Sequence, residues 1–527
     1  MKHLTPGVYS EEVSLTTKSV NSVDTTTAAM IGVTQRGPVN IPILITSFNA
    51  FCQTFGGLLN HNIYTNSLDA LPYAVQGFFL NGGQQLYVLR VIGPDSTFAC
   101  TSLNNSCVPD TSTSDKPVIW VYARYPGVWG NNVHVETRRC AGQEYDLLIE
   151  LRDDGKVVQS EVYKKLSTDP QHPRYAIKIV GCFEQQSKAA SPAGESELIR
   201  LVIVSQQETT DITAPPDNGS YTLHNGCDDL TGLNEACYIG NPDDDPHKRN
   251  GIYRLDDEQD INLISVPGQT GALLQQALLN HCEKIRYRFA ILDSPHNCNI
   301  KAVLQHRHQL NSSYGAIYYP WLVVPNIFGE QGSVLHVPPC GHVMGIYART
   351  DNARGVWKAP ANELVHGILQ FEVTLTHNDQ NVLNPVGINT FRDFRSTNRG
   401  LRLWGARTLS NDPQWQYVNI RRFLLFLQQS IEQSLQFTVF EHNNTKLWAT
   451  VKQAISNFLL GLWHSGALQG TKPEHAFFVH VGYNITMSQT DIDKGRLIVQ
   501  IGVAPLKPAE FMVFQLVHQC LLPNHVD

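Results

Sequence analysis

The chain has 527 residues, 42% hydrophobic and only 17% charged, against the ~25% charge usual in soluble domains. That balance excludes a highly charged disordered chain, and it suggests a surface covered in part by other subunits. Net charge is −7, with no Lys/Arg-rich tract to neutralise phosphates, so nucleic acid is not an expected partner.

The opening Met1-Lys2-His3-Leu4-Thr5-Pro6-Gly7-Val8 carries no apolar core of a secretory signal. No apolar run approaches the ~18 residues of a membrane span, and the longest, 315–324, is interrupted by Pro320. No direct membrane insertion is expected. The 11 cysteines stand singly, without a Cys-x-x-Cys pair, and read as reduced thiols.

In chain order, residues 1–22 have too few apolar side chains for a core of their own and read either as a frayed terminus or as an arm that adds a strand to another sheet. Strands are expected at 28–34, 41–45 and 85–91, with a helix over 70–79 stopped by Asn81-Gly82-Gly83. From 96 to 255 the composition turns polar. Stretches 96–116 and 187–225 read as loops, and 118–122, 133–136, 146–151 and 175–180 as strands of an inserted β-rich domain. Asp243-Asp244-Asp245 reads as a solvated loop, since no spaced oxygen-ligand loop accompanies it.

From 256 strands and helices alternate: strands at 261–266, 288–292 and 315–324, helices at 272–284 and 301–311. Such alternation predicts a parallel sheet covered by helices. Apolar stripes at helical spacing follow, through Ile420, Phe423, Leu424, Leu427, Ile431 and Leu435, and through Leu447, Val451, Ile455, Leu459 and Leu462. A strand is expected at 496–503. After the turn Ala504-Pro505-Leu506-Lys507-Pro508, the run Phe511-Met512-Val513-Phe514-Gln515-Leu516-Val517 is apolar on both faces. An edge of that kind invites aggregation, so it reads as a strand either central in its own sheet or paired with another chain, the second being favoured.

No catalytic motif of the nucleophile-elbow, phosphate-loop, dinucleotide or zinc-protease type is present. Asp293-Ser294-Pro295-His296 follows a strand, but neighbours on one loop cannot easily serve one another as nucleophile, base and orienter. His281, Cys282, His296 and Cys298 lie close in sequence, yet their spacing fits no usual zinc pattern. No catalytic residue, cofactor or metal is expected, and the chain reads as a non-enzyme.

Motifs spread over most of the chain carry a resemblance. They include Thr5-Pro6-Gly7-Val8-Tyr9-Ser10-Glu11-Glu12, Gly32-Val33-Thr34-Gln35-Arg36-Gly37-Pro38, Gly127-Val128-Trp129-Gly130-Asn131-Asn132, Tyr318-Tyr319-Pro320-Trp321, Arg354-Gly355-Val356-Trp357-Lys358-Ala359-Pro360-Ala361-Asn362-Glu363, Trp404-Gly405-Ala406-Arg407-Thr408-Leu409, Tyr417-Val418-Asn419-Ile420-Arg421-Arg422 and Ala504-Pro505-Leu506-Lys507-Pro508. Together they resemble the contractile tail sheath proteins of phages and of phage-tail-like injection particles. Departures fall at Asp293-Ser294-Pro295, Pro339-Cys340-Gly341 and Asn225-Gly226-Cys227-Asp228.

The resemblance implies an α/β class: a sheath core of mixed or parallel sheet with covering helices (subtilisin-like in fold only), an inserted β-rich domain, and extended N- and C-terminal arms. It implies a division into an N-terminal arm (1–22), a first core segment (23–95), the insertion (96–255), the α/β core (256–403), a C-terminal inner-layer domain (404–508) and a C-terminal strand (509–527). Strand exchange with neighbouring subunits would use Gly7-Val8-Tyr9-Ser10-Glu11-Glu12-Val13 and the terminal run from Phe511 to Val517. A helix of the C-terminal region would face an inner tube; the helix at 446–463, with Lys446 and Lys452 off its apolar stripe, is the candidate, plain solvent exposure of the two lysines being the alternative. The implied function is a helical polymer around that tube, whose contraction drives the tube through an envelope. Implied partners are further copies of the chain, the tube protein, and baseplate and tail terminator proteins, with assembly in the cytoplasm. A tube- or baseplate-associated protein of the same particle and an α/β hydrolase are the rival readings.

Overall fold

The computed structural model describes residues 19–103, 118–153, 155–183, 195–204, 215–246, 248–508 and 510. The chain divides into two compact units, one formed by 24–353 and 360–416, the other by 354–359, 417 onward and the segment up to residue 23.

The larger unit opens with β1 (Ala28–Gly32), β2 (Ile43–Ile45), α1 (Phe48–Phe55), α2 (Ala70–Leu80) and β3 (Leu86–Arg90). Seven strands follow within the insertion: β4 (Cys100–Ser102), β5 (Val118–Ala123), β6 (Val133–Arg139), β7 (Glu144–Asp153), β8 (Lys156–Ser167), β9 (Ile199–Val204) and β10 (Gly219–Thr222), with α3 (Ala176–Val180) after β8. The chain then re-enters the core through α4 (Glu235–Ile239), β11 (Leu263–Ser265), α5 (Ala272–Ile285), β12 (Phe289–Asp293), α6 (Ile300–Arg307) and β13 (Gly315–Tyr319). Last come β14 (Leu322–Pro325), β15 (Val334–Val337), α7 (Cys340–Arg354), β16 (Glu363–Leu364), β17 (Gln370–Phe371), α8 (His377–Leu383), β18 (Ile388–Phe394) and β19 (Gly400–Trp404).

Nine strands form one mixed sheet in the order β16-β19-β18-β13-β12-β11-β1-β3-β2. The six from β18 to β3 run parallel, while β2, β19 and β16 join antiparallel at the two edges. Every residue of β1, β11, β12 and β13 is buried, which accounts for their continuous apolar runs: a parallel strand covered on both faces has no polar side. One covering face gathers Ile31, Leu89, Leu278, Leu292 and Ile317 into a single cluster, joined by Tyr238 and Leu255 from the segment that leaves the insertion.

The 315–324 run expected as one strand is two. β13 pairs with β12 and β18 of the main sheet, whereas β14 pairs with β15 and β17 in a separate three-stranded sheet. Pro320 stands between them and has no N–H to carry a ladder forward.

The insertion builds two antiparallel sheets, β4-β5-β9 and β10-β6-β7-β8. Burial alternates along β7, with Tyr145, Leu147, Ile149 and Leu151 inward, as a half-covered strand requires. These side chains meet Ile119, Val121 and Leu201 in a core separate from that of the main sheet. Two expectations are corrected here. The 175–180 strand is the short helix α3, whose buried residues Ala176 and Val180 are one helical turn apart and which ends at Gly181 with φ 116°. The polar stretches 96–116 and 187–225, expected as loops, supply β4, β9 and β10.

Entry to and exit from the insertion meet at one point. The Gly93 N–H donates to Asp228 O at 3.0 Å, and the Thr97 N–H to Cys227 O at 2.9 Å. Beneath them Arg90, fully buried, donates to Asp228 Oδ1 (2.9 Å), Gly37 O (2.8 Å) and Pro126 O (3.1 Å). In the core, α7 packs against α2 through small residues. A methyl group on Gly341 or Gly345 would overlap the backbone of Ala74 or Phe78.

The smaller unit contains α9 (Val418–Ser434), α10 (Thr445–His464), α11 (Pro473–Ala476), β20 (Phe477–His480), α12 (Gln489–Asp493) and β21 (Gln500–Val503). Phe423, Phe426, Val451, Ile455 and Leu459 form its core, which also takes in Val20. Residues 21–23 are fastened to α9, with Asn21 and Val23 N–H groups donating to Ser434 Oγ (3.0 Å) and Ser430 Oγ (3.2 Å).

Candidate functional site

In the smaller unit, α10 begins where Asn444 accepts the Leu447 N–H at 3.0 Å, satisfying one of the free donors of the first turn. Its apolar stripe (Val451, Ala454, Ile455, Leu459, Leu462) is buried, and Lys446 and Lys452 are both exposed. They do not share a stripe. Six residues at ~100° each place them about 120° apart around the axis. Lys446 lines up with Gln453, Asn457 and His464, all exposed. Just before the helix, Phe440 is completely exposed at a left-handed φ of 65°. Sequence reading passed over it. The available signal was an apolar Val439-Phe440 pair lying outside the stripes of both neighbouring helices.

The strand-exchange residues expected at 7–13 and 511–517 lie outside the described residues. What borders them is described. β21 pairs antiparallel with β20 in a sheet of two strands, from Phe477 opposite Val503 to His480 opposite Gln500. The strand expected over 496–503 is confined to its second half. Each strand therefore has one hydrogen-bonded partner among the described residues, and the sheet is held by packing of Val479, Ile501 and Val503 into the core of the smaller unit.

Asp293, Ser294 and His296 point apart. The Asp293 carboxylate is buried and accepts the Cys340 N–H at 2.8 Å, at the start of α7, and the Gly268 N–H at 3.0 Å. Burial pushes its pKa up to about 6, against the pull of those N–H groups. Ser294 is buried, and its carbonyl accepts the Trp321 indole N–H at 2.7 Å. The His296 ring lies against Trp321, 4.5 Å between centroids. This is the geometry of a braced turn, with no alignment of nucleophile and base.

His281 and Cys282 are also separated from His296 and Cys298. Both belong to α5, where His281 is buried between Asp256 (3.2 Å) and Arg288 (2.6 Å), and burial lowers its pKa against the pull of Asp256. His296 instead meets two residues distant in sequence, His336 on β15 and Glu372 just after β17. The Glu372 side chain is 5% exposed, and its Oε1 accepts the Asn297 N–H at 2.9 Å. No sequence spacing links these three, because the pairing of β14 with β15 and β17 creates their proximity.

Comparison with known proteins bears on the chain as a whole. Residues 254–409 match the phage tail sheath protein central domain, and 410–519 the phage tail sheath C-terminal domain, together half of the chain. The chain belongs to the phage tail sheath family. A prophage major tail sheath protein of Pseudomonas aeruginosa (strain UCBPP-PA14) is 26% identical over 257 residues, covering 47% of this sheath chain and 62% of the relative. The tail sheath protein of Burkholderia phage BcepMu is 30% identical over 148 residues, 26% of this chain and 30% of the relative. These matches thus span less than two thirds of each relative's length.

Solved sheath structures share the fold over nearly the full length. The helical sheath of the anti-feeding prophage in its contracted state is 23% identical with a TM-score of 0.56, covering 98% of this chain and 100% of that one. The contracted sheath complex of the extracellular injection system PVC is 21% identical with a TM-score of 0.57, covering 98% and 99%. The crystal structure of a sheath tail protein from Desulfitobacterium hafniense is 13% identical with a TM-score of 0.58, covering 95% and 100%. Among the described residues no helix is long and apolar enough to cross a membrane.

Proposed function

We propose that this chain is the structural subunit of a contractile sheath, polymerising helically around an inner tube and shortening to drive the tube through a target envelope. The observation that carries the proposal is the ordered match of 254–519 to both sheath domains. The likeness to contracted sheath assemblies at 98% coverage of the chain adds support. In this reading the chain is not an enzyme. The energy of contraction is stored at assembly, and the buried Asp293 braces α7. Its partners are other copies, the tube protein, and baseplate and terminator proteins. It assembles in the cytoplasm as a component of a phage tail or tail-like particle.

Head-to-tail contacts that do not close on themselves generate open helical filaments. Strand addition supplies such contacts through main-chain hydrogen bonds, which persist while rigid units rotate. The two-stranded β20–β21 sheet is suited to receive strands from neighbours. The residues offered for exchange are 7–13 and 511–517. The surface around Phe440 and Lys446 is assigned to the tube, since Phe440 is fully exposed just before α10 and Lys446 lies on the exposed stripe of that helix.

Electron microscopy of the purified chain tests the reading, with hollow striated cylinders as the expected result. Deletion of residues 1–13 should abolish polymerisation and leave a folded monomer. Long regular cylinders from the truncated chain would overturn the strand-exchange assignment, and absence of cylinders from the full chain mixed with tube protein would overturn the sheath function.

A further inference from the structure

We propose that His296, His336 and Glu372 form a binding site for a zinc-class divalent cation. His296 Nε2 lies 3.2 Å from His336 Nδ1 and 3.3 Å from Glu372 Oε1, and the third side of the triangle, His336 Nδ1 to Glu372 Oε1, is 3.5 Å. Zinc takes imidazole nitrogen at ~2.0–2.1 Å and carboxylate oxygen at ~2.0–2.2 Å in tetrahedral geometry, so neighbouring ligand atoms stand ~3.3–3.5 Å apart. The three measured sides come close to one face of that tetrahedron, the His296–His336 side being slightly short. The donor set agrees with the metal. Two imidazoles and one carboxylate suit zinc, whereas calcium and magnesium select oxygen ligands.

The ligands are braced from behind, as metal ligands are. Glu372 is oriented by the Asn297 N–H on Oε1 (2.9 Å) and the Trp321 N–H on Oε2 (3.4 Å). His296 rests on the Trp321 ring, and that indole is anchored to Ser294 O. Nearby, Asp69 adds a second carboxylate to the field at His296, with His61 bonded to it at 3.0 Å. The His296 and His336 side chains are 43% and 38% exposed, so a fourth position opens to water. A cation here would tie the loop after β12 to β15 and to the end of β17, two strands of the three-stranded sheet. The competing arrangement is a plain hydrogen-bonded His–His–Glu cluster with the same spacing.

The test uses the full chain, stripped with a chelator and then titrated with Zn2+, with Co2+ as a spectroscopic probe. The unaltered chain should bind one more equivalent of Zn2+ than H336A, a control needed in a protein with 20 histidines. Zn2+ should raise its thermal midpoint, since a ligand bound only by the native state stabilises it, and leave that of H336A unchanged. E372Q, which keeps an oxygen acceptor, should weaken binding at least about tenfold. Co2+ should give the intense visible absorption of a tetrahedral site. Equal Zn2+ uptake by the unaltered chain and H336A overturns the proposal. So does a weak octahedral Co2+ spectrum in the unaltered chain, a measurement that stands even if a variant fails to fold.

Discussion

The imidazole of His342, on α7, occupies the space in which Gly77, on α2, would carry a side chain. The contact is reciprocal, since Gly341 and Gly345 on α7 lie against the backbone of Ala74 and Phe78. Neither helix can take a larger residue at these points without moving off the other. Overpacking of a filled core costs ~1–3 kcal/mol, so G77A and G345A should each lower unfolding free energy by about that amount, read from urea titrations of the monomer.

His342 also sets a pH dependence. Burial lowers its pKa from 6.5 to about 4, so between those values the unfolded chain binds the proton and the native chain does not. Stability carried by neutral His342 is therefore complete above pH 6.5 and lost as pH falls toward 4, by an amount on the order of 3 kcal/mol. Asp293 acts in the opposite sense. Its raised pKa of about 6 means that stability is lost as pH rises from 3.8 to 6. The decisive measurement is a difference: between pH 6.5 and 4, H342N should lose less stability than the unaltered chain.

Arg90 and Asp228 form a pair with side-chain exposures of 0% and 2%. Removing one member leaves the other charged and uncompensated, which typically costs ~3–5 kcal/mol. R90A and D228A should fall in that range. Limited proteolysis should then cut near residues 93–97 and 226–229, where the insertion joins the core. Resistance equal to that of the unaltered chain would show that the pair is dispensable at the junction.

Lys446 and Lys452 face different directions on α10, so one partner surface cannot engage both equally. K446E, on the exposed stripe that follows Phe440, should reduce assembly on tubes severalfold, and K452E should leave it unchanged. F440S should also reduce assembly, with no loss of monomer stability because Phe440 is fully exposed. Pelleting of sheath on preformed tubes separates these outcomes.

Strands with continuous apolar runs and helices with a clear apolar period were legible in the sequence: β1, β3, β12, α5, α9 and α10 fall where their patterns place them. α7 was not, because Cys340 through Ala348 are all buried and a helix covered on every side has no polar face to give a period. β8 was missed for the opposite reason: it is an edge strand carrying Lys156, Glu161, Lys164 and Lys165, with Val157, Val158 and Val162 exposed. The His296–His336–Glu372 cluster could not be read at all, since it depends on β14 lying between β15 and β17. The braced turn at Asp293 was half legible: its place after a strand was visible, its bond to the first turn of α7 was not.

The hydrogen bond from Gly93 to Asp228 makes the intervening segment topologically a side loop of the core. Strand β1 lies between β3 and β11, the strands before and after that loop, so none of the nine-stranded ladder depends on what the loop contains. The inserted module can therefore be shortened, lengthened or exchanged for another folded unit whose ends lie equally close together. That junction is thus a ready attachment point for changing the inserted domain while the nine-stranded core stays the same.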